Sequence, residues 1–231
     1  VSRAALGARL RAAVLAAGAI VSGAAPALAQ TAPAPSRPKE FTAGVTWLGP
    51  TSLGTANAEF VRPDGSPFPI FEAEHSLGSG FGVHAGMGFP IRGSVWGEFN
   101  GAWTRTSLET RVSNDVENAD VEPISTAVSR LAVEGAALWY FRQKGRTAWF
   151  VRGGGGWMKE LPEGNAVAGN GFLGSGGIGL RHWWREGRRG ALRRLGLRVE
   201  FRTDLRSGGL TLGESSLRIT PVLAGTMVFG F

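Results

Sequence analysis

The sequence predicts an all-β protein, an eight-stranded antiparallel up-and-down barrel. Two observations carry the prediction: eight apolar runs alternate at period two, and the connections between them alternate short and long. A third, an export-type N-terminal segment, sets the context in which the barrel has to work.

Arg3, Arg9 and Arg11 precede the apolar run Ala12 to Val21, which is followed by Ala-Leu-Ala-Gln at 27–30. A positive start, a short apolar stretch and an A-x-A site predict a cleavable signal peptide over 1–29. The apolar stretch is too short to cross a bilayer as a helix. Residues 30–40 are rich in Pro and Ala, without an apolar period, and read as an extended tether. The barrel is expected over 41–231, with no second domain boundary.

The runs follow in order. Residues 41–49 place Phe41, Ala43, Val45 and Trp47 on one face, and 79–89 place Phe81, Val83, Ala85, Met87 and Phe89 opposite His84 and three glycines. Residues 94–106 set Val95, Phe99 and Trp103 against Glu98, Asn100 and Thr104. Residues 126–141 set Leu131, Val133, Ala137, Trp139 and Phe141 against Arg130 and Glu134. Residues 148–158 set Trp149, Val151 and Trp157 against Phe150 and Arg152. Residues 172–184 set Phe172, Ile178, Leu180 and Trp184 against Ser175 and Arg181. The clearest run, 195–205, separates Leu195, Leu197, Val199, Phe201, Thr203 and Leu205 from Arg198, Glu200, Arg202 and Asp204. On a helix those charges would be spread around the cylinder; on a strand they form one stripe. The last run, 217–231, groups Leu217, Ile219, Leu223, Met227, Phe229 and Phe231 opposite Arg218, Thr220 and Thr226.

The connections PIRG, RQKGR and REGRRGALR are short, whereas about 50–78, 107–125, 159–171 and 206–216 are long. Short turns at one rim and long loops at the other are the pattern of a transmembrane barrel, with the short turns and both chain ends in the periplasm. Two further features favour an apolar exterior. Aromatics bracket single strands (Phe81 and Phe89, Trp149 and Trp157), spanning about 20 Å along the membrane normal at a tilt of roughly 40°. The opposite face mixes both charge signs with small residues, as eight strands enclosing a side-chain-filled interior require. Gly82, Gly86 and Gly88 leave room there for long side chains. The expected lumen network is Glu98, Asn100, Glu134, Arg152, Arg181, Arg198, Glu200, Arg202, Asp204 and Arg218. Each inward Arg should have a carboxylate, since an unpaired buried charge is costly, and His84 should lie close to Asn100.

The closing stretch VLAGTMVFGF resembles the terminal strand of outer-membrane proteins, in which a final aromatic acts as an assembly signal, here Phe229 and Phe231. With the signal peptide and the loop alternation, residues 41–231 resemble the OmpA transmembrane domain and its small OmpX-like relatives. That resemblance implies residence in a cell outer membrane of the Gram-negative type, insertion by the barrel-assembly machinery with periplasmic chaperones, contact with outer-membrane lipids and lipopolysaccharide, and a monomer. It does not extend to a peptidoglycan-binding domain.

Other chemistry finds little support. Cysteine is absent, which excludes disulfides and thiolate metal sites. The formal charge of +7 loses three arginines with the signal peptide, leaving 22 of the 25 basic residues against 18 acidic ones. The cluster Arg185, Arg188, Arg189, Arg193 and Arg194 sits in a turn beside no base-reading fold, so no nucleic acid is expected. It suits anionic headgroups, while Glu109, Asp115, Glu117, Asp120 and Glu122 form an acidic loop at the other rim. The run Gly153 to Gly156 leads into Trp157 and Met158 rather than into a phosphate-binding helix. The lipid A deacylase family carries a His-x-Ser motif; His84 is followed by Ala85 and Gly86, His182 by two tryptophans, and His75 lies in the first long loop. No catalytic residue, cofactor or metal is therefore expected. The function expected is a structural or surface-interaction role, with a narrow passive pore, a lipid-modifying enzyme and a soluble lipocalin-like barrel as alternatives, in that order.

Overall fold

A computed structural model describes residues 39–113, 124–164, 168–187, 193–210 and 217–231. The signal-peptide and most of the tether expectations fall outside these residues, as do Asp115, Glu117, Asp120, Glu122, Arg188 and Arg189. Every regular element among the described residues is a strand: β1 (Glu40–Leu48), β2 (Thr51–Val61), β3 (Pro67–Leu77), β4 (Gly80–Arg92), β5 (Val95–Ser113), β6 (Ile124–Lys144), β7 (Thr147–Pro162), β8 (Gly169–Glu186), β9 (Arg194–Gly208) and β10 (Arg218–Gly230).

Eight of these close into a ring. β1, β4, β5, β6, β7, β8, β9 and β10 pair antiparallel in that order, and β10 pairs back to β1, Phe41 opposite Phe229. Closure leaves no free edge along the ring. The two tightest connections are Gly93–Ser94 and Gly145–Arg146, each opening on a glycine at φ 58° or 57°. A two-residue hairpin needs that left-handed first position to match strand twist, and glycine adopts it without strain. These turns share a rim with Glu40 and Gly230.

The expected strand count needs one correction. The predicted loop 50–78 contains β2 and β3, which pair with each other and extend β1 and β4 beyond breaks at Gly49–Pro50 and Gly78–Ser79. Their tip is a tight turn: the Asp64 carboxylate accepts bonds from the Ser66 backbone N–H (2.9 Å) and hydroxyl (2.7 Å). Those bonds hold the Asp64 carboxyl below the ordinary aspartate range. β3 also pairs with the outer part of β5, His75 opposite Thr110. Period two is broken there by register shifts at Ser52/Gly54 and Ala58/Glu59, so no unbroken alternation marked the segment. The predicted loops 107–125 and 159–171 are likewise shortened by longer strands. β6 has 21 residues, about 70 Å of chain at ~3.4 Å each, well beyond the roughly 9–11 residues a bilayer crossing needs.

Candidate functional site

The site with the most chemistry is the interior of the ring. Period-two alternation sends one face of every strand inward, and contacts between strands that are not neighbours identify that face. Arg198 on β9 reaches Glu98 on β5, directly opposite in the ring, with Nη1 at 2.9 and 2.8 Å from the two carboxylate oxygens. Phe201 is 52% exposed on the outer face, whereas the adjacent Glu200 and Arg202 are 3% and 8% exposed.

Starting at the short-turn rim, Arg181 Nη1 donates to both oxygens of Glu40 (2.6 and 2.8 Å) and to the Tyr140 hydroxyl (2.9 Å). Its guanidinium lies 4.2 Å from the Tyr140 ring centroid, 4.9 Å from Trp183 and 5.6 Å from Trp96. Desolvated cation–π contacts of this kind add to the ion pair. One layer further in, Glu200 bridges Arg198 (2.5 Å) and Arg152 (2.6 Å), and Arg152 also meets Glu134 at 3.0 Å. Ser175 donates to Glu134, and Phe150 packs under the Arg198 guanidinium at 4.6 Å. Arg202 then links Glu200 (3.7 Å) to Asp204 (3.1 Å), and Arg130 holds the second oxygen of Asp204 at 3.2 Å. Arg206 pairs with Glu160, whose other oxygen accepts from the Leu210 N–H at 2.9 Å.

All ten residues of the expected network are buried, but one expectation about them changes. Among the described residues Arg218 pairs with no carboxylate; it donates to the carbonyls of Leu210 (2.8 Å) and Leu53 (3.1 Å), tying the connection after β9 to β2. His84 and Asn100 stand at diagonal positions on the inner face of the adjacent strands β4 and β5, without a hydrogen bond through His84 Nδ1 or the Asn100 amide. The register sets His84 opposite Ala102 and Asn100 opposite Gly86, and Asn100 Oδ1 fills the space where a Cβ on Gly86 would stand. Missed in the sequence were Glu40, Glu160 and Arg206 as network members. Arg206 continues the stripe 198–200–202–204, and Glu160 the face of Arg152 and Met158, one step past the expected strand ends.

Beyond the charged layers, Leu53, Leu77 and Val128 form a buried apolar cluster with Leu108 and Leu210 packed against it. The missed β2–β3 hairpin supplies two of its three central members. Among the described residues, one cavity of about 10 Å³ between the layers touches Glu40, Thr42, Glu98, Tyr140 and Arg198, and another touches Thr51, Thr106, Arg130, Glu160 and Arg206. Each has room for about one water.

The outer face is the reverse. Val45, Phe81, Val83, Met87, Phe99, Trp139, Trp157, Val199, Phe201 and Leu223 are all exposed. So extended an apolar surface exceeds the few-hundred-Å² patch of a soluble monomer. Two of the three histidines are held by hydroxyls: His75 Nδ1 is 3.0 Å from Thr110 Oγ1, and His182 Nδ1 is 2.8 Å from Thr147 Oγ1, whereas the buried Nδ1 of His84 has no hydrogen-bond partner among the described residues. Phe229 lies against Phe41 with ring centroids 6.2 Å apart, and the Phe231 N–H donates to the Lys39 carbonyl at 2.9 Å across the closing seam.

No protein-family model matches the chain, and no curated protein matches it in sequence. Among solved structures it is similar to the solid-state NMR structure of outer membrane protein AlkL in DMPC lipid bilayers, with a TM-score of 0.42 and 10% identity over 90% of this chain and 97% of that one.

Proposed function

We propose that this chain is an integral β-barrel of a bacterial outer membrane, with a structural or surface-interaction role and a lumen filled by paired side chains. The observation that carries the reading is the inverted polarity of the ring: ion pairs inside and an aromatic and aliphatic skin outside. In water that arrangement would expose the apolar face and bury the charges. In a bilayer the apolar face meets lipid, and the closed ring leaves no strand edge unpaired, as a membrane-spanning sheet requires. The even count of antiparallel strands and the two-residue turns at one rim suit an outer-membrane barrel. The short-turn rim then faces the periplasm, and the β2–β3 hairpin and the outer parts of β5–β7 stand on the lipopolysaccharide side. The crossing ion pairs favour a plugged body over a pore, and we assign the chain no chemistry of its own. The β1–β10 seam, with Phe229 and Phe231 beside it, is the closing contact that the assembly machinery would have to complete.

Cell fractionation with unboiled gel electrophoresis tests this. The protein should sediment with the outer membrane and migrate faster unboiled than boiled. Recovery in the soluble fraction, with one mobility regardless of heating, would contradict it.

A further inference from the structure

Three register shifts recur at the short-turn rim, each just before a turn: Pro90/Arg92 on β4, Tyr140/Arg142 on β6 and Trp183/Arg185 on β8. A bulge places two consecutive residues on one face. Here the pairs are Ile91–Arg92, Phe141–Arg142 and Trp184–Arg185, all exposed, an apolar residue followed each time by arginine. Strict alternation would have turned each of these arginines into the lumen. Instead the register sets Arg92 opposite Val95, Arg142 opposite Trp149 and Arg185 opposite Leu195, all on the outer face. The bulges therefore build a collar of arginines directly beneath an apolar belt.

One part of the collar is concave. Arg142, Lys144, Thr147 and Trp149 line an open depression of about 380 Å³. Among the described residues neither Arg142 nor Lys144 has a carboxylate partner, unlike the lumen arginines of the ladder. Above the depression the outer face passes from Trp149 and Val151 to Gly153, Gly135 and Gly176, where an added Cβ would meet nothing within 4 Å. Two cations without a carboxylate partner among the described residues, and an indole, thus lie below an open, flat apolar floor.

We propose that this depression is a headgroup site for an anionic phospholipid of the periplasmic leaflet. Arg142 and Lys144 would donate to its phosphate, Trp149 would stack at the glycerol level, and its chains would lie over the glycine floor. The proposal rests on the outer-membrane reading, which sets this rim at the periplasmic interface. Charge complementarity selects the occupant, since two cations without carboxylates favour a net negative headgroup over a zwitterionic one.

The test uses the folded full chain in detergent micelles, offered phosphatidylglycerol and phosphatidylethanolamine with matched acyl chains, with bound lipid counted by native mass spectrometry. The wild type should retain phosphatidylglycerol in preference. Arg142→Gln with Lys144→Gln should lower that retention about ten-fold and leave phosphatidylethanolamine unchanged. Arg62→Gln with Arg105→Gln, an equal charge change at the far end, should behave as wild type. Excess inorganic phosphate should not displace the lipid. Equal retention of the two lipids by the wild type, an unaffected Arg142/Lys144 double variant, or displacement by free phosphate would overturn the site. Any of these in a protein that still fractionates with the outer membrane refutes the lipid site alone; failure of the wild type to enter that membrane refutes the outer-membrane reading and this site together.

Discussion

Arg181 on β8 reaches across the bore to Glu40, the first residue of β1, and both carboxylate oxygens lie within 2.8 Å of its Nη1. The contact ties the start of the ring to a strand three places away and closes the bore at the short-turn rim under Trp96, Tyr140 and Trp183. Burial of both partners makes the pair sensitive to losing either one.

Replacing Glu40 with Gln should therefore leave a buried guanidinium without a counter-charge. The expected loss is about 3–5 kcal/mol, read as a lower urea midpoint for conversion of the fast-migrating band to the slow one. Glu109→Gln, on the long-loop extension of β5 outside the ladder, should move that midpoint little.

The ladder from Glu40 through Glu98, Glu200, Asp204 and Glu160 leaves cavities of about 10 Å³ between its layers. Planar-bilayer recordings of the wild type should show no large, steady conductance. Arg152→Ala with Arg202→Ala removes two side chains that bridge Glu134, Glu200 and Asp204, and should introduce measurable current if the variant inserts. Steady wild-type currents of porin size would count against a filled lumen.

Two glycines of similar sequence setting should respond oppositely. A Cβ on Gly179 would lie 2.2 Å from the buried Phe150 ring, whereas one on Gly153 would meet nothing within 4 Å. Gly179→Ala should destabilise by about 1–3 kcal/mol, and Gly153→Ala should fall within about 0.5 kcal/mol of wild type. Paired urea titrations check the difference.

Leu77, the last residue of β3, is buried in a cluster with Leu53 of β2 and Val128 of β6. Leu77→Ala should cost about 2–5 kcal/mol if the hairpin unfolds together with the ring. Protease cleavage confined to residues 51–77, with the heat-modifiable core unchanged, would show instead that the hairpin opens by itself.

The ring was legible because its eight strands keep period two over long stretches, as in Leu195 to Leu205, and because Gly93 and Gly145 mark the tight turns. Strand ends were less legible: β9 carries Arg206 inward one step after the expected end, and β7 carries Glu160 inward in the same way. The β2–β3 hairpin has the sequence pattern of a loop because its register shifts twice and Pro67 and Pro69 interrupt the alternation. The turn signal Pro63-Asp64-Gly65-Ser66 stood midway between Ala56–Ala58–Phe60 and Phe68–Ile70 and could have marked it. The outward turn of Arg92, Arg142 and Arg185 was not readable from alternation, because a bulge changes the face of a residue without changing its type. Alternation groups Arg218 with the carboxylate-paired arginines, whereas the Leu53 carbonyl comes near it only through the hairpin and the Leu210 carbonyl through the connection after β9.

The central claim is that the apolar face of the ring meets lipid. Because the chain has no cysteine, single cysteines at Val151, Val199, Phe201 and Leu223 can each carry a nitroxide without a background label. In outer-membrane-like bilayers, power-saturation electron paramagnetic resonance should show all four labels accessible to oxygen and shielded from a water-soluble nickel chelate, with a label at Arg62 showing the reverse. If the four labels were as accessible to nickel as the Arg62 label, the apolar face would be in water and the membrane reading would be contradicted.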